Sequence, residues 1–149
     1  MVGASGVATS ARREEESGFE TERVAAYLET NGKAVAATQL LPPADVVAVE
    51  IAGRLRVLAM EVRTSAARSL EDLDRTLSAL EERLFAAVLT CTGEAELVAL
   101  KEAAARELAP YRGKMGAVQI KQVQAQFLQK RLLEARRLPR LSLFYMSHG

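Results

Sequence analysis

PADVVAVEIAGRLRVLAMEVRTSAA, residues 43–67, is the stretch on which the reading of this chain turns. Leu41, Pro42 and Pro43 stand at its entrance. A proline pushes the residue before it into extended backbone, and its fixed φ suits a first helical position, so a helix is expected from Pro43. Asp45 falls in the first turn, where a carboxylate favours the exposed amides. Val47, Ile51, Leu55, Leu58 and Val62 then recur at steps of four, four, three and four, a helical stripe. Val46, Val49, Val57 and Met60 widen that stripe until little polar face remains. A helix apolar nearly all round belongs at the centre of a bundle.

The next segment repeats the pattern more sharply. Ser69 can cap a helix start, and Asp72 sits where the acid of a capping box would. Leu70, Leu73, Leu77, Leu80, Leu84 and Val88 follow at alternating steps of three and four. Glu71 and Arg75 are spaced to pair on the outside. The stripe is shorter than a coiled-coil seam needs, so this helix, 70–91, is expected to form the core hairpin with 43–67. Thr92-Gly93 breaks it. A helix over 94–109 follows, with Leu97, Leu100, Ala104 and Leu108 inward and Pro110 as its stop.

Upstream, residues 1–18 are small and polar, then charged, and read as a disordered, flexible tail. Phe19, Val24, Tyr27 and Leu28 are helically spaced, and Asn31-Gly32 offers a left-handed cap, giving a helix over 19–31. Downstream, Gly113 and Gly116 flank Lys114 and Met115 in an apparent loose joint. A fifth helix is expected over 117–137, and an apolar tail over 138–149 follows Pro139. The fold class is therefore all-α: a single-domain antiparallel bundle of four to five helices over 19–137.

Composition sets the outer bounds. The chain has 149 residues, 9 Gly, one Cys and no Trp. That length buries a core without metals or disulfides. A lone Cys91 favours a reducing compartment, here the cytoplasm. No apolar run approaches the roughly 20 residues of a membrane span.

Net charge is +1, but it is unevenly laid out. Residues 1–109 hold 12 Lys/Arg against 18 Asp/Glu, whereas residues 110–149 hold 8 Lys/Arg against Glu134 alone. Gln119, Gln122, Gln126 and Gln129 stack along one side of the fifth helix. Glutamines supply donors and acceptors and the cations neutralise phosphates, a pairing suited to a nucleic-acid backbone. The candidate nucleic-acid-binding residues are those four with Arg112, Lys114, Lys121, Lys130, Arg136, Arg137 and Arg140. Arg56 and Arg63, seven apart on the 43–67 helix, form a second, weaker basic feature. The competing reading is a solvated helix face, or internal pairing with the acidic half.

In the tail, Leu141, Leu143, Phe144 and Tyr145 are too apolar to float in water. They either fold back onto the bundle or form a partner-binding site.

Catalytic signatures are missing. His148 is the only histidine, Cys91 has no neighbour to activate it or to share a metal, and no phosphate loop or Glu-x-x-His pair occurs. The expectation is no enzyme, no cofactor and no metal. In gross outline, a small helical bundle with a basic face, the chain is similar to the small subunits of CRISPR effector complexes. Plasmid and mobile-element accessory proteins share that outline. The likeness covers architecture and carries no motif. It implies a non-catalytic, RNA- or DNA-binding subunit of a nucleoprotein complex, with self-association possible. The alternative is a protein–protein adaptor docking through its tail, and a peripheral membrane binder ranks third.

Overall fold

Helix α1 spans Val2–Ala37 and runs straight through Asn31-Gly32, which corrects the helix end expected at residue 31. No glycine among the described residues takes a positive φ. Gly32 serves close packing instead. A Cβ there would lie 3.3 Å from the Ala52 carbonyl oxygen and 3.5 Å from the Leu55 Cβ. Asn31 is buried and donates its side-chain amide to the Arg140 carbonyl oxygen at 3.3 Å. The computed structural model describes residues 2–65 and 68–148, with side chains over 20–65 and 68–146. The bounds of α1 take in residues 2–18, expected as a flexible tail, and no side chain is described there.

The remaining helices are α2 (Ala44–Thr64), α3 (Leu70–Thr90), α4 (Glu94–Leu108) and α5 (Ala117–Ala135). No strand occurs among the described residues. The all-α bundle expected from the sequence is the fold. Pro43 caps α2 rather than opening it, and Ser69 caps α3 by accepting the Asp72 amide at 3.1 Å. Arg75 pairs with Asp72, not Glu71.

Two joints differ from expectation. Pro110 does not stop the chain's helical path: a 3-10 helix, Ala109–Lys114, carries it onward with proline in its first turn, where no amide is needed. At the other end, α5 closes two residues early in a Schellman motif. Leu138 N–H reaches the Leu133 carbonyl at 2.8 Å and Arg137 N–H reaches Glu134 at 2.9 Å. Arg137 takes the left-handed φ of 60° that this closure requires.

The broadest helix pairing joins α1 to α2, not α2 to α3 as expected. The glycine contact at Gly32 explains why α1 and α2 come so near. Buried Leu28, Ile51, Leu55, Leu58, Leu77 and Leu84 make the centre of the core. Each fully buried side chain of this kind contributes about 1.5–3 kcal/mol. α4 pairs with α5, and α5 lays Leu132 and Leu133 into the same core through α3.

α2 itself is not covered all round. Ala44, Ala48, Ile51, Ala52, Leu55, Leu58 and Ala59 are buried, whereas Val46, Val49, Val57 and Met60 are exposed. Alanines take the tightly packed positions, and the larger side chains of the other face look outward.

Candidate functional site

The C-terminal segment is held by a buried polar clasp. Along α3 the buried positions are Leu73, Leu77, Glu81, Leu84 and Val88, so a glutamate occupies a core register. Its Oε1 accepts Arg140 Nε at 3.0 Å and the Leu141 amide at 2.8 Å, and its Oε2 accepts Gln129 at 3.3 Å. Arg140 also donates to the Tyr145 hydroxyl at 2.7 Å and lies 4.3 Å from that ring's centroid. From α1, the Tyr27 hydroxyl donates to the Arg140 and Ser142 carbonyls at 2.8 and 3.0 Å. Burial raises the Tyr27 pKa, which keeps the phenol a donor. Asp74 Oδ1 accepts the Ser142 hydroxyl at 2.8 Å and the Leu143 amide at 2.6 Å. No buried side-chain nitrogen or oxygen among the described residues lacks a partner.

This clasp decides the fate of the tail. Leu141 is fully buried, Leu143 packs on the core and Tyr145 stacks on Arg140. Of the four expected partner-binding residues, only Phe144 stands well out, 70% exposed, in edge contact with Tyr145. A short 3-10 helix, Leu143–His148, carries these last aromatics.

Four of the nine expected phosphate-facing cations, Arg63, Lys130, Arg136 and Arg140, are committed to carboxylates. Arg140 is held by Glu81 with only 18% of its side chain exposed, so it does not belong to a solvent-facing basic surface. Arg136 makes a two-pronged contact with Glu96, at 2.6 and 2.8 Å. That hydrogen bonding lowers the Glu96 pKa and raises that of Arg136. Lys130 and Arg131 share Glu107 at 3.3 and 3.0 Å, and Arg131 chiefly lowers the Glu107 pKa. Arg63 bridges Glu22 and Glu29 between α2 and α1. Gln129 turns inward to Glu81. The acidic and basic parts of the chain thus attract each other inside one molecule. Glu50 pairs with Arg83 across to α3, within the acidic part itself.

What stays in solvent is smaller and more local. Arg112 and Lys114 are exposed on the 3-10 helix between α4 and α5, and Lys121 on the first turns of α5. None of the three has an ion pair among the described residues. Gln119, Gln122 and Gln126 are also exposed, within about 60° of one another around the helix, with Lys121 on the opposite flank. Gly116 caps α5 without a side-chain bond, and no acid lies in its first turn. The amides there add partial positive charge. Arg137 is exposed but lies at the far end of α5, and Arg56 is exposed on α2. These two do not join the elbow.

The elbow's glutamines and cations were among the sequence candidates but were not set apart from Lys130 and Arg136, which prove paired; the clasp was missed. Its signal is Glu81 at the register of Leu77 and Leu84, whereas the leucine stripe runs through the half-exposed Leu80.

An open cleft of about 870 Å3 between α1, α2 and α3 is lined by Val24, Leu58, Arg63, Arg68 and Leu73, among others. Cys91 lies elsewhere, its sulfur 3.3 Å from the Leu41 and Pro42 carbonyl oxygens, fastening the end of α3 to the α1–α2 connection. No group of three metal-binding side chains occurs among the described residues, and no helix there is long and apolar enough to cross a membrane. No protein-family model, curated protein or solved structure matches this chain.

Proposed function

We propose that this chain is a non-catalytic subunit of a nucleoprotein assembly, holding RNA or DNA by its phosphates at the elbow between α4 and α5. One observation carries the reading. Between Glu107 and Glu134 the chain contains no carboxylate, and the cations of that interval nearest the elbow, Arg112, Lys114 and Lys121, are exposed and unpaired among the described residues. Elsewhere in the C-terminal part, acids neutralise most of the cations internally. An unopposed positive elbow beside exposed amide side chains suits a polyanion with a regular phosphate spacing. Base sequence is not read, because Tyr111 is the one aromatic beside the cations.

The test is fluorescence polarisation with short single- and double-stranded RNA and DNA across a salt series. Three phosphate contacts give a log–log salt slope of about −2 to −3. Arg112→Glu with Lys114→Glu and Lys121→Glu should abolish binding while the melting temperature holds. Because a subunit can require its assembly for measurable affinity, the reconstituted complex is measured as well. Equal binding by the triple variant in both settings overturns the proposal.

The second reading is an assembly protein without nucleic acid. The exposed Phe144 on an otherwise docked tail favours it. Phe144→Ser would then release the partner at any moderate salt, with the salt slope near zero.

A further inference from the structure

The outward face of α2 has no cover among the described residues. Val46, Val49, Val57 and Met60 are 61%, 69%, 44% and 60% exposed. Gly53 lies at the middle of them, and nothing stands within 4 Å of a Cβ placed there. Counted outward from Gly53, the face reads alike in both directions. Val46 and Met60 lie seven residues away, Val49 and Val57 four, Glu50 and Arg56 three. Steps of three, four and seven stay on one side of a helix. The stripe is thus a palindrome in shape, with opposite charges at mirrored positions.

A two-fold contact between identical chains needs a surface complementary to itself. Laying two copies of α2 antiparallel, with the two-fold axis at Gly53, brings each residue level with its mirror position on the other copy. Val49 then meets Val57, and Val46 meets Met60. Glu50 stands level with Arg56 of the other copy, within reach of two long side chains. A parallel pair would instead set Glu50 beside Glu50 and Arg56 beside Arg56. Arg56 has no ion pair among the described residues, and Glu50 has one exposed pairing, to Arg83. The bare backbone at Gly53 lets the two axes approach closely where they cross.

We propose that this face of α2 is a homodimer interface, occupied by α2 of a second copy running antiparallel and crossing at Gly53. The seam from Val46 to Met60 is about 21 Å long, short for an obligate dimer, so a reversible one is expected, with Kd on the order of 1–100 µM. It uses α2 alone and stands independently of the elbow between α4 and α5.

Sedimentation equilibrium of the full chain from about 5 µM to 1 mM tests it against that affinity range. The wild type should dimerise reversibly. Val49→Glu with Val57→Glu should be monomeric throughout with an unchanged melting temperature, both side chains being exposed already. If that variant fails to fold, Gly53→Leu decides instead: a Cβ there meets open space in the monomer, and dimer affinity should fall at least about tenfold through bulk at the crossing. Direction is read by disulfide trapping in a Cys91→Ser background. Gly53→Cys should link to itself, and a mixture of Val49→Cys with Val57→Cys should link to each other in preference to themselves. A wild type monomeric at the highest concentration overturns the proposal. So does a dimer that survives both surface variants, or trapping dominated by self-linked Val49→Cys.

Discussion

The Glu81 carboxylate receives the Arg140 guanidinium from 59 positions further along the chain, Nε to Oε1 at 3.0 Å, with the two side chains 6% and 18% exposed. Losing one partner of such a pair strands a buried charge, at a cost of about 3–5 kcal/mol, whereas replacing both with apolar groups is often close to neutral. Arg140→Met should therefore destabilise by about that much in a denaturant titration. Adding Glu81→Leu should recover most of the loss, short of about 1–3 kcal/mol for the orphaned Leu141 amide. Strictly additive losses would show that the two residues are not coupled.

Two glycines in packed helices should answer oppositely to alanine. At Gly53 the new methyl meets open space, so the gain in helix propensity, about 0.5–1 kcal/mol, should appear in full. At Gly32 it presses on the Ala52 carbonyl, part of the backbone of α2, which cannot step aside as a side chain can. Overpacking of this kind costs about 1–3 kcal/mol and cancels or outweighs the propensity gain. Thermal melts of the two variants at low protein concentration should differ in sign or by at least about 1 kcal/mol.

Arg137 sits at the left-handed closure of α5 with φ of 60°. A residue with a Cβ is strained there, and glycine is not. Arg137→Gly should raise stability by about 0.5–1 kcal/mol, since no ion pair among the described residues is lost. A fall in midpoint would mean that the arginine side chain supplies more than the strain costs.

Acid should loosen the α4–α5 pair. The folded pKa values of Glu96 and Glu107 lie below the ordinary 4.5, held down chiefly by Arg136 and Arg131. Groups with a depressed folded pKa stabilise above the unfolded value and lose that contribution as pH falls through the folded one. Tyr27 works in reverse. Its pKa is raised above the ordinary 10.0 by burial, so its contribution is complete below that value and is lost as pH climbs through the raised one. Glu96→Gln with Glu107→Gln should make the stability curve less steep below pH 4.5, where Glu22 beside Arg63 still contributes, and leave the alkaline limb unchanged. Tyr27→Phe should flatten only the alkaline limb.

The helices were legible because leucine at three- and four-residue steps has few other meanings. Leu73, Leu77, Leu84 and Val88 are buried where that spacing puts them. Asn31-Gly32 misled because a helix cap and a close helix crossing ask for the same residue. Apolar content around α2 misled for a related reason: periodicity counts hydrophobic residues but does not say which side finds a neighbour. The candidate site was half legible. A run of cations is visible in sequence, but their partners are not, since Glu81, Glu96 and Glu107 lie far from Arg140, Arg136 and Arg131 along the chain. Once those long-range pairs are removed, the exposed elbow at Arg112, Lys114 and Lys121 remains, with Arg137 and Arg56 standing apart from it.

The clasp also imposes an order of events during synthesis. The ribosome delivers α1, α2 and α3 first, at about 5–20 residues per second, with Glu81, Asp74 and Tyr27 already in place. Their partners, at Arg140, Leu141 and Ser142, emerge only after the whole of α4 and α5. Until then a carboxylate at the register of Leu77 and Leu84 must stay hydrated, which keeps the seam around it from closing dry. The nascent three-helix unit is therefore kept open until the arginine arrives, and final desolvation of the core is a late, C-terminal step of vectorial folding.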